Sequence, residues 1–191
     1  MGLTTVKVCG VRDAQTATFC FSVGVDYVGL VLAKSRRQVT LAQAQDILAA
    51  VPGKFVAVVQ DVTREQLEGL SLLPFAGIQV HDSAPNDWTE IIHRQGQLAI
   101  ATWLHPAADI ALLDGEKPGS GIARRWHKPS WPHPIWLAGG LNPRNVRRVV
   151  RELAPEGVDV SSGVESEGTK QWNLIEQFVK EVHHGNDETR A

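Results

Sequence analysis

Ile135-Trp136-Leu137-Ala138-Gly139-Gly140-Leu141-Asn142-Pro143 and, after a basic helical run, Val158-Asp159-Val160-Ser161-Ser162-Gly163-Val164-Glu165 form the stretch that decides the fold. Each half is a short apolar run that stops at small, flexible residues. A strand end followed by glycine lets backbone N–H groups approach an anion closely. Asn142 is a good N-cap and Pro143 fits a first helical turn, so a helix is expected from Asn142 to Leu153. Ser161-Ser162-Gly163 reads as the opening of another short helical turn. Taken singly, each is an ordinary strand-to-helix turn. As a pair near the end of the chain they read as a phosphate cradle, of the kind built after strands seven and eight of a (β/α)8 barrel.

The rest of the chain supports eight strand–helix units. Apolar runs begin at Thr5, Tyr27, Lys54, Gly77, Leu98, Ile110, Ile135 and Val158. Helical patterns lie between most of them: Ala14 to Val23, Leu41 to Ala50 after Thr40, Arg64 to Leu72 after Thr63, Asp87 to Arg94, and a last one from Gln171 to Val182. Continuous apolar strands separated by helices argue for a parallel sheet buried on both faces. The expected fold is therefore an α/β, (β/α)8 TIM barrel, compact at roughly 24 residues per unit. An open doubly wound sheet competes, but it places its glycine-rich turn after the first strand. Only Leu104 to Ala108 separate Trp103 from Asp109, so the fifth helix is expected to be shortened or missing. Residues 1–183 are read as a single barrel domain and 184–191 as a disordered polar tail.

Composition excludes several functions. The chain has 191 residues, 43% hydrophobic and 21% charged, with a net charge of −2. That is ordinary for a soluble globular protein and points to no nucleic acid or anionic membrane. No apolar run approaches the length of a membrane span, and no signal peptide is expected. Cys9 and Cys20 make no disulfide framework, which fits a reducing cytoplasm. The His residues show no metal spacing, so no metal is expected.

Several motifs resemble those of the phosphoribosylanthranilate isomerases: Lys7-Val8-Cys9-Gly10, Gln79-Val80-His81, Leu112-Leu113-Asp114, Ala138 to Pro143 and Asp159 to Glu165. The resemblance runs from about residue 5 to 182. It implies an Amadori rearrangement of a phosphoribosylated anthranilate in tryptophan biosynthesis, by acid–base chemistry without a cofactor. The expected partner is a small phosphorylated substrate, and the chain is expected to be a monomer or homodimer. Another phosphosugar isomerase of broadened specificity, and a degenerate barrel that only binds phosphate ligands, remain alternatives.

The resemblance implies roles that residue chemistry can support. Cys9 ends strand one on the rim where barrel active sites form, and matches the family's general base. A thiol acts there if its pKa is lowered toward neutrality. Cys20, inside a helix, reads as a small buried hydrophobe. Asp114 ends strand six and matches the general acid, a task suited to a carboxyl shielded from water. Arg37 matches the residue that holds the anthranilate carboxylate, although Arg36 stands where the family usually has Pro. His81 is a candidate substrate contact, with a structural histidine as the alternative. Asp159 either points into the barrel or orients the ligand. Gly139, Gly140, Ser161, Ser162 and Gly163 form the cradle, with Gly121 on a third loop. That loop follows a shortened segment, Gly115 to Pro118, and carries Ile122 where the family often has Lys.

Overall fold

The computed structural model describes residues 3–114 and 126–190. Eight parallel strands close into a barrel in sequence order. They are β1 (Thr5–Cys9), β2 (Tyr27–Val31), β3 (Phe55–Gln60), β4 (Gly77–His81), β5 (Leu98–Ala101), β6 (Ile110–Asp114), β7 (Ile135–Ala138) and β8 (Gly157–Val160). Outside them run α1 (Ala14–Ser22), α2 (Leu41–Ala50), α3 (Arg64–Ser71), α4 (Trp88–His93), α5 (Val146–Leu153) and α6 (Trp172–Arg190). A two-stranded hairpin, β9 (Glu165–Ser166) and β10 (Thr169–Lys170), follows β8. No described helix is long and apolar enough to cross a membrane.

The strands are short because each must satisfy two cores at once. Alternate side chains point outward to the helices or inward to the barrel axis. Val6, Val8, Leu30, Phe55, Ala57, Ile78 and Leu137 belong to the outer core. Val31, Val56, Val58, Ile100, Leu112 and Trp136 pack inside with Cys9. Trp136 is large enough to demand a glycine opposite it: a Cβ on Gly157 would lie 2.5 Å from the indole ring. Local signals start several helices as expected. Thr40 with Gln43, and Thr63 with Gln66, form reciprocal capping boxes at α2 and α3.

The fifth helix is missing: residues 102–109 contain none. What covers the strands instead is visible. The outward positions of β5 are alanines, Ala99 and Ala101, both fully buried. A thin layer suffices over such small residues. Asp109 clips the connection down, its amide donating to Ala99 O at 2.9 Å and its carboxylate accepting from Ala99 N at 2.7 Å. Trp88, Trp103 and His105 cluster beside it with ring centroids 5.4–6.2 Å apart.

Two expectations are corrected. Asn142 does not cap α5. Its carboxamide oxygen accepts from Arg144 N at 2.9 Å, building a turn, and the helix begins only at Val146. An Asx turn competes with a cap for the same side chain. Second, residues 184–190 are not a disordered tail but the last turns of α6. Gly185 allows this close packing, since a Cβ there would lie 2.8 Å from Val150 Cβ and 2.9 Å from Arg147 O. Arg147 and Arg151 both pair with Glu188. Asn186 is 5% exposed and accepts the buried Thr4 N–H at 3.2 Å, tying the end of α6 to the start of the chain. Asn186→Ala strands that donor, so a loss of about 1–3 kcal/mol is expected in urea melts.

Candidate active site

The C-terminal ends of the strands gather the candidate residues. On β1, Lys7 and Cys9 share the inward face, two positions apart. On β8, Asp159 stands in register with Lys7, and their side chains pair at 2.9 Å. Lys7 is fully buried and Asp159 nearly so. Of the two roles open to Asp159, it takes the inward one. Burial alone would pull the Lys7 ammonium down, but the Asp159 charge and Cys9 more than offset it, and its pKa is raised.

Cys9 does not meet the expected lowering. Burial pushes the thiol up and prevails, although Lys7 and Lys170 pull it down; Asp159 adds to the rise. Burial therefore favours the neutral thiol. Cys20 is likewise pushed up, to about 12, by burial. Asp114 ends β6 and is exposed, and the chain that follows it lies outside the described residues. Its charge reaches His81. His81 is half-buried at the end of β4, with Gln79 Nε2 at 2.7 Å from its Nε2. That contact needs an acceptor nitrogen, which fits a neutral ring. Burial first, and the Lys7 charge second, hold the His81 pKa down.

The two glycine turns abut. Gly139 and Gly140 have φ of 77° and 68°, a conformation glycine alone takes without strain. Side chains hold their carbonyls. Trp126 Nε1 donates to Ala138 O at 2.9 Å and Gly139 O at 3.1 Å, and Asn145 Nδ2 donates to Gly140 O at 2.9 Å. Ser162–Val164 forms the expected short helical turn, a 3-10 one. The two loops touch: a Cβ on Gly163 would collide with Leu141 O and lie 3.0 Å from Asn142 Cα. Ser161 faces the other way, its hydroxyl donating to Cys9 O at 3.0 Å. Gly121 lies outside the described residues.

Arg37 is where the rim closes. Its stem crosses Gly10, directly after Cys9, where any side chain would collide with it. Its Nε and Nη2 donate to the two oxygens of Glu165 at 2.7 and 2.8 Å. Lys170 also donates to Glu165 at 2.7 Å, and to Ser161 O at 3.0 Å. Burial pushes the Glu165 carboxyl up, but hydrogen bonds from Arg37 and Lys170 outweigh it and hold the pKa at about 2. The sequence reading assigned nothing to Lys7, Lys170 or Glu165. For Lys170 a signal exists. Glu165-Ser166-Glu167-Gly168-Thr169-Lys170 contains a two-residue Glu-Gly turn, with φ of 51° and 78°, and such a hairpin sets Glu165 opposite Lys170. Among the described residues no group of His, Cys, Asp and Glu is arranged to hold a metal ion.

Two outcomes follow from this geometry. Gly163→Ala forces the two turns apart, so a destabilisation of at least about 1–3 kcal/mol is expected in a denaturant melt. Glu165 is held at about 2 against an ordinary 4.5, so its stabilising contribution is complete above pH 4.5 and lost as pH falls toward 2. Urea melts over that range should show the gap between wild type and Glu165→Gln closing as pH falls.

Comparison with known proteins identifies the family of the chain. A sequence profile of the family described as N-(5'phosphoribosyl)anthranilate (PRA) isomerase matches residues 6–181. The N-(5'-phosphoribosyl)anthranilate isomerase of Streptococcus mutans is 35% identical over 191 residues, covering 94% of this chain and 99% of its own. The crystal structure of phosphoribosyl anthranilate isomerase from Thermus thermophilus superposes with a TM-score of 0.79 at 28% identity, covering 94% of this chain and 98% of that one. A second structure is described as phosphoribosyl anthranilate isomerase in complex with reduced 1-(o-carboxyphenylamino)-1-deoxyribulose 5-phosphate. It superposes with a TM-score of 0.76 at 25% identity, over 95% of this chain and 99% of its own. Sequence profile, sequence identity and barrel superposition agree over nearly the whole length, and the chain belongs to the N-(5'-phosphoribosyl)anthranilate isomerase family.

Proposed function

We infer that this chain isomerises N-(5'-phosphoribosyl)anthranilate to 1-(2-carboxyphenylamino)-1-deoxy-D-ribulose 5-phosphate, a step of L-tryptophan biosynthesis. The observation that carries the reading is the arrangement around Cys9. At the end of β1 the Arg37 stem lies over Gly10 and the Ser161 hydroxyl donates to the Cys9 carbonyl, beside two abutting glycine turns. A substrate with a phosphate at one end and a carboxylate at the other fits that spacing of functions. The turns at Gly139-Gly140 and Ser162-Gly163 would hold the phosphate by backbone N–H groups. Arg37 would hold the carboxylate by its planar fork.

The chemistry in this reading is proton transfer alone. Asp114 donates a proton to the ribose ring oxygen as the C1′–O bond breaks, leaving a Schiff base between C1′ and the anthranilate nitrogen. Cys9, as thiolate, removes the C2′ proton, and the bond electrons form an enolamine. Its 2′-hydroxyl loses a proton while C1′ gains one, giving the ketone. Substrate and product have the same atoms, so acid and base suffice. Anchoring at both ends supplies orientation, which is a large share of the rate available to such a shuttle. Burial disfavours the thiolate. Once formed it lies beside the buried Lys7 ammonium, whose charge favours it.

Cys9→Ala and Asp114→Ala should each lower kcat by at least about 100-fold, with melting temperatures unchanged. Near-normal turnover in either variant would remove that residue from the mechanism. The wild-type gene should restore growth without tryptophan to a bacterium lacking this isomerase. The Cys9→Ala gene should not.

A further inference from the structure

Arg37 is asked to bind a substrate carboxylate, yet it already holds one. Glu165 takes both N–H groups on the side-on edge of the guanidinium, Nε and Nη2. Two arrangements produce such a contact. In one, Glu165 is a plug that the substrate carboxylate must displace. In the other, Glu165 is a permanent brace, and the substrate meets the remaining end-on edge formed by Nη1 and Nη2.

The surroundings favour the brace. Lys170 and Arg36 also converge on Glu165, Lys170 at 2.7 Å and Arg36 at 3.4 Å. Three cations thus share a single carboxylate, and the cluster keeps an excess of positive charge for a second anion. The Glu165 side chain is 4% exposed and Lys170 6%, whereas Arg37 retains 19%. A displaced plug would need somewhere to go, and Glu165 is fixed from two sides. It is the first residue of β9, paired in register with Lys170 on β10. Lys170 also ties the hairpin to Ser161 O, and Ser161 to Cys9 O. The brace therefore connects the carboxylate-binding group to the strand end that carries the base.

We propose that Glu165, secured by Lys170, is a positioning residue that holds Arg37 by its side-on edge and presents its end-on edge to the substrate carboxylate. The proposal rests on the isomerase reading above. A flexible Arg side chain that must be ordered on binding costs affinity. Pre-ordering removes that cost for carboxylate-bearing ligands alone.

The test compares two ligands by titration calorimetry: reduced 1-(o-carboxyphenylamino)-1-deoxyribulose 5-phosphate and its counterpart made from aniline, which lacks the carboxylate. Wild type should prefer the first. Glu165→Gln should weaken the first by about 10-fold and the second by less than about twofold, the loss expected from one disordered charge-assisted contact. In an Arg37→Ala background, Glu165→Gln should have no further effect on the ratio, because the loss seen in the wild-type background runs through Arg37. In turnover the loss should fall on KM, with kcat changed by less than about threefold. Tighter binding of the carboxylate ligand by Glu165→Gln would overturn the brace in favour of the plug. Equal weakening of both ligands would reduce Glu165 to a structural residue. If wild type itself fails to distinguish the two ligands while still isomerising substrate, Arg37's carboxylate role falls and the brace with it. If wild type shows no isomerase activity, the functional reading falls first.

Discussion

The first and last strands of the barrel meet across one buried ion pair. Lys7 on β1 and Asp159 on β8 are partners in register, 2.9 Å apart and shut away from solvent. Burying either charge alone would cost several kcal/mol, so each requires the other. A pair so placed specifies how the barrel closes. A slip of one residue along either strand would turn the inward residue outward and leave a lone charge in the core. Correct closure also sets the β8 turn beside Cys9, because Ser161 lies two residues beyond Asp159. The site is thus assembled at the seam of the fold, from its beginning and its end.

The small size of the chain shows where a barrel can be thinned. Removing an outer helix exposes whatever the strand presents there. At β5 the outward residues are Ala99 and Ala101, and the connection lies flat over them, clipped by Asp109. Large outward residues would need a helix to cover them. Between β7 and β8 and beyond β8 full helices remain, and α6 extends to Arg190 to pack on α5. Those helices stand behind the turns assigned to phosphate, where loose packing would let the two glycine loops drift apart.

Much of this was legible in the sequence because it depends on local signals. Apolar runs gave the strands, Thr40 and Thr63 gave helix starts, and the short Trp103–Asp109 link gave the missing helix. The glycine turns were legible for the same reason, since Gly139, Gly140 and Gly163 each answer a steric demand. The failures arise where a residue's role is set by something distant in sequence. Gly185 and Asn186 look like a polar tail until Val150 and Thr4 are brought against them. Asn142 could cap or turn, and the chain around Asn145 decides for the turn. The Cys9 thiol is a balance of burial against Lys7, Lys170 and Asp159, and no spacing along the chain reveals its sign. Asp114's exposure could not be read from its place after an apolar strand.

The balance at Cys9 suits proton abstraction from carbon. A thiol far below neutral pKa would be ionised but a weak base, and one far above it a strong base seldom ionised. Here burial raises basicity, while the Lys7 and Lys170 charges favour the ionised form. The two ammonium groups are themselves committed to Asp159 and Glu165. They act on Cys9 by their charge, and Lys7 also by a hydrogen bond, without leaving their partners. Fixed charges of this kind need no reorganisation when the thiolate forms, which is the advantage of a preorganised site over water. The same commitment explains why polar side chains occupy the upper interior of a barrel otherwise filled by Val, Ile, Leu and Trp. Each buried charge is matched, and the matching fixes the strand ends from which the proposed acid, base and anion-binding groups project.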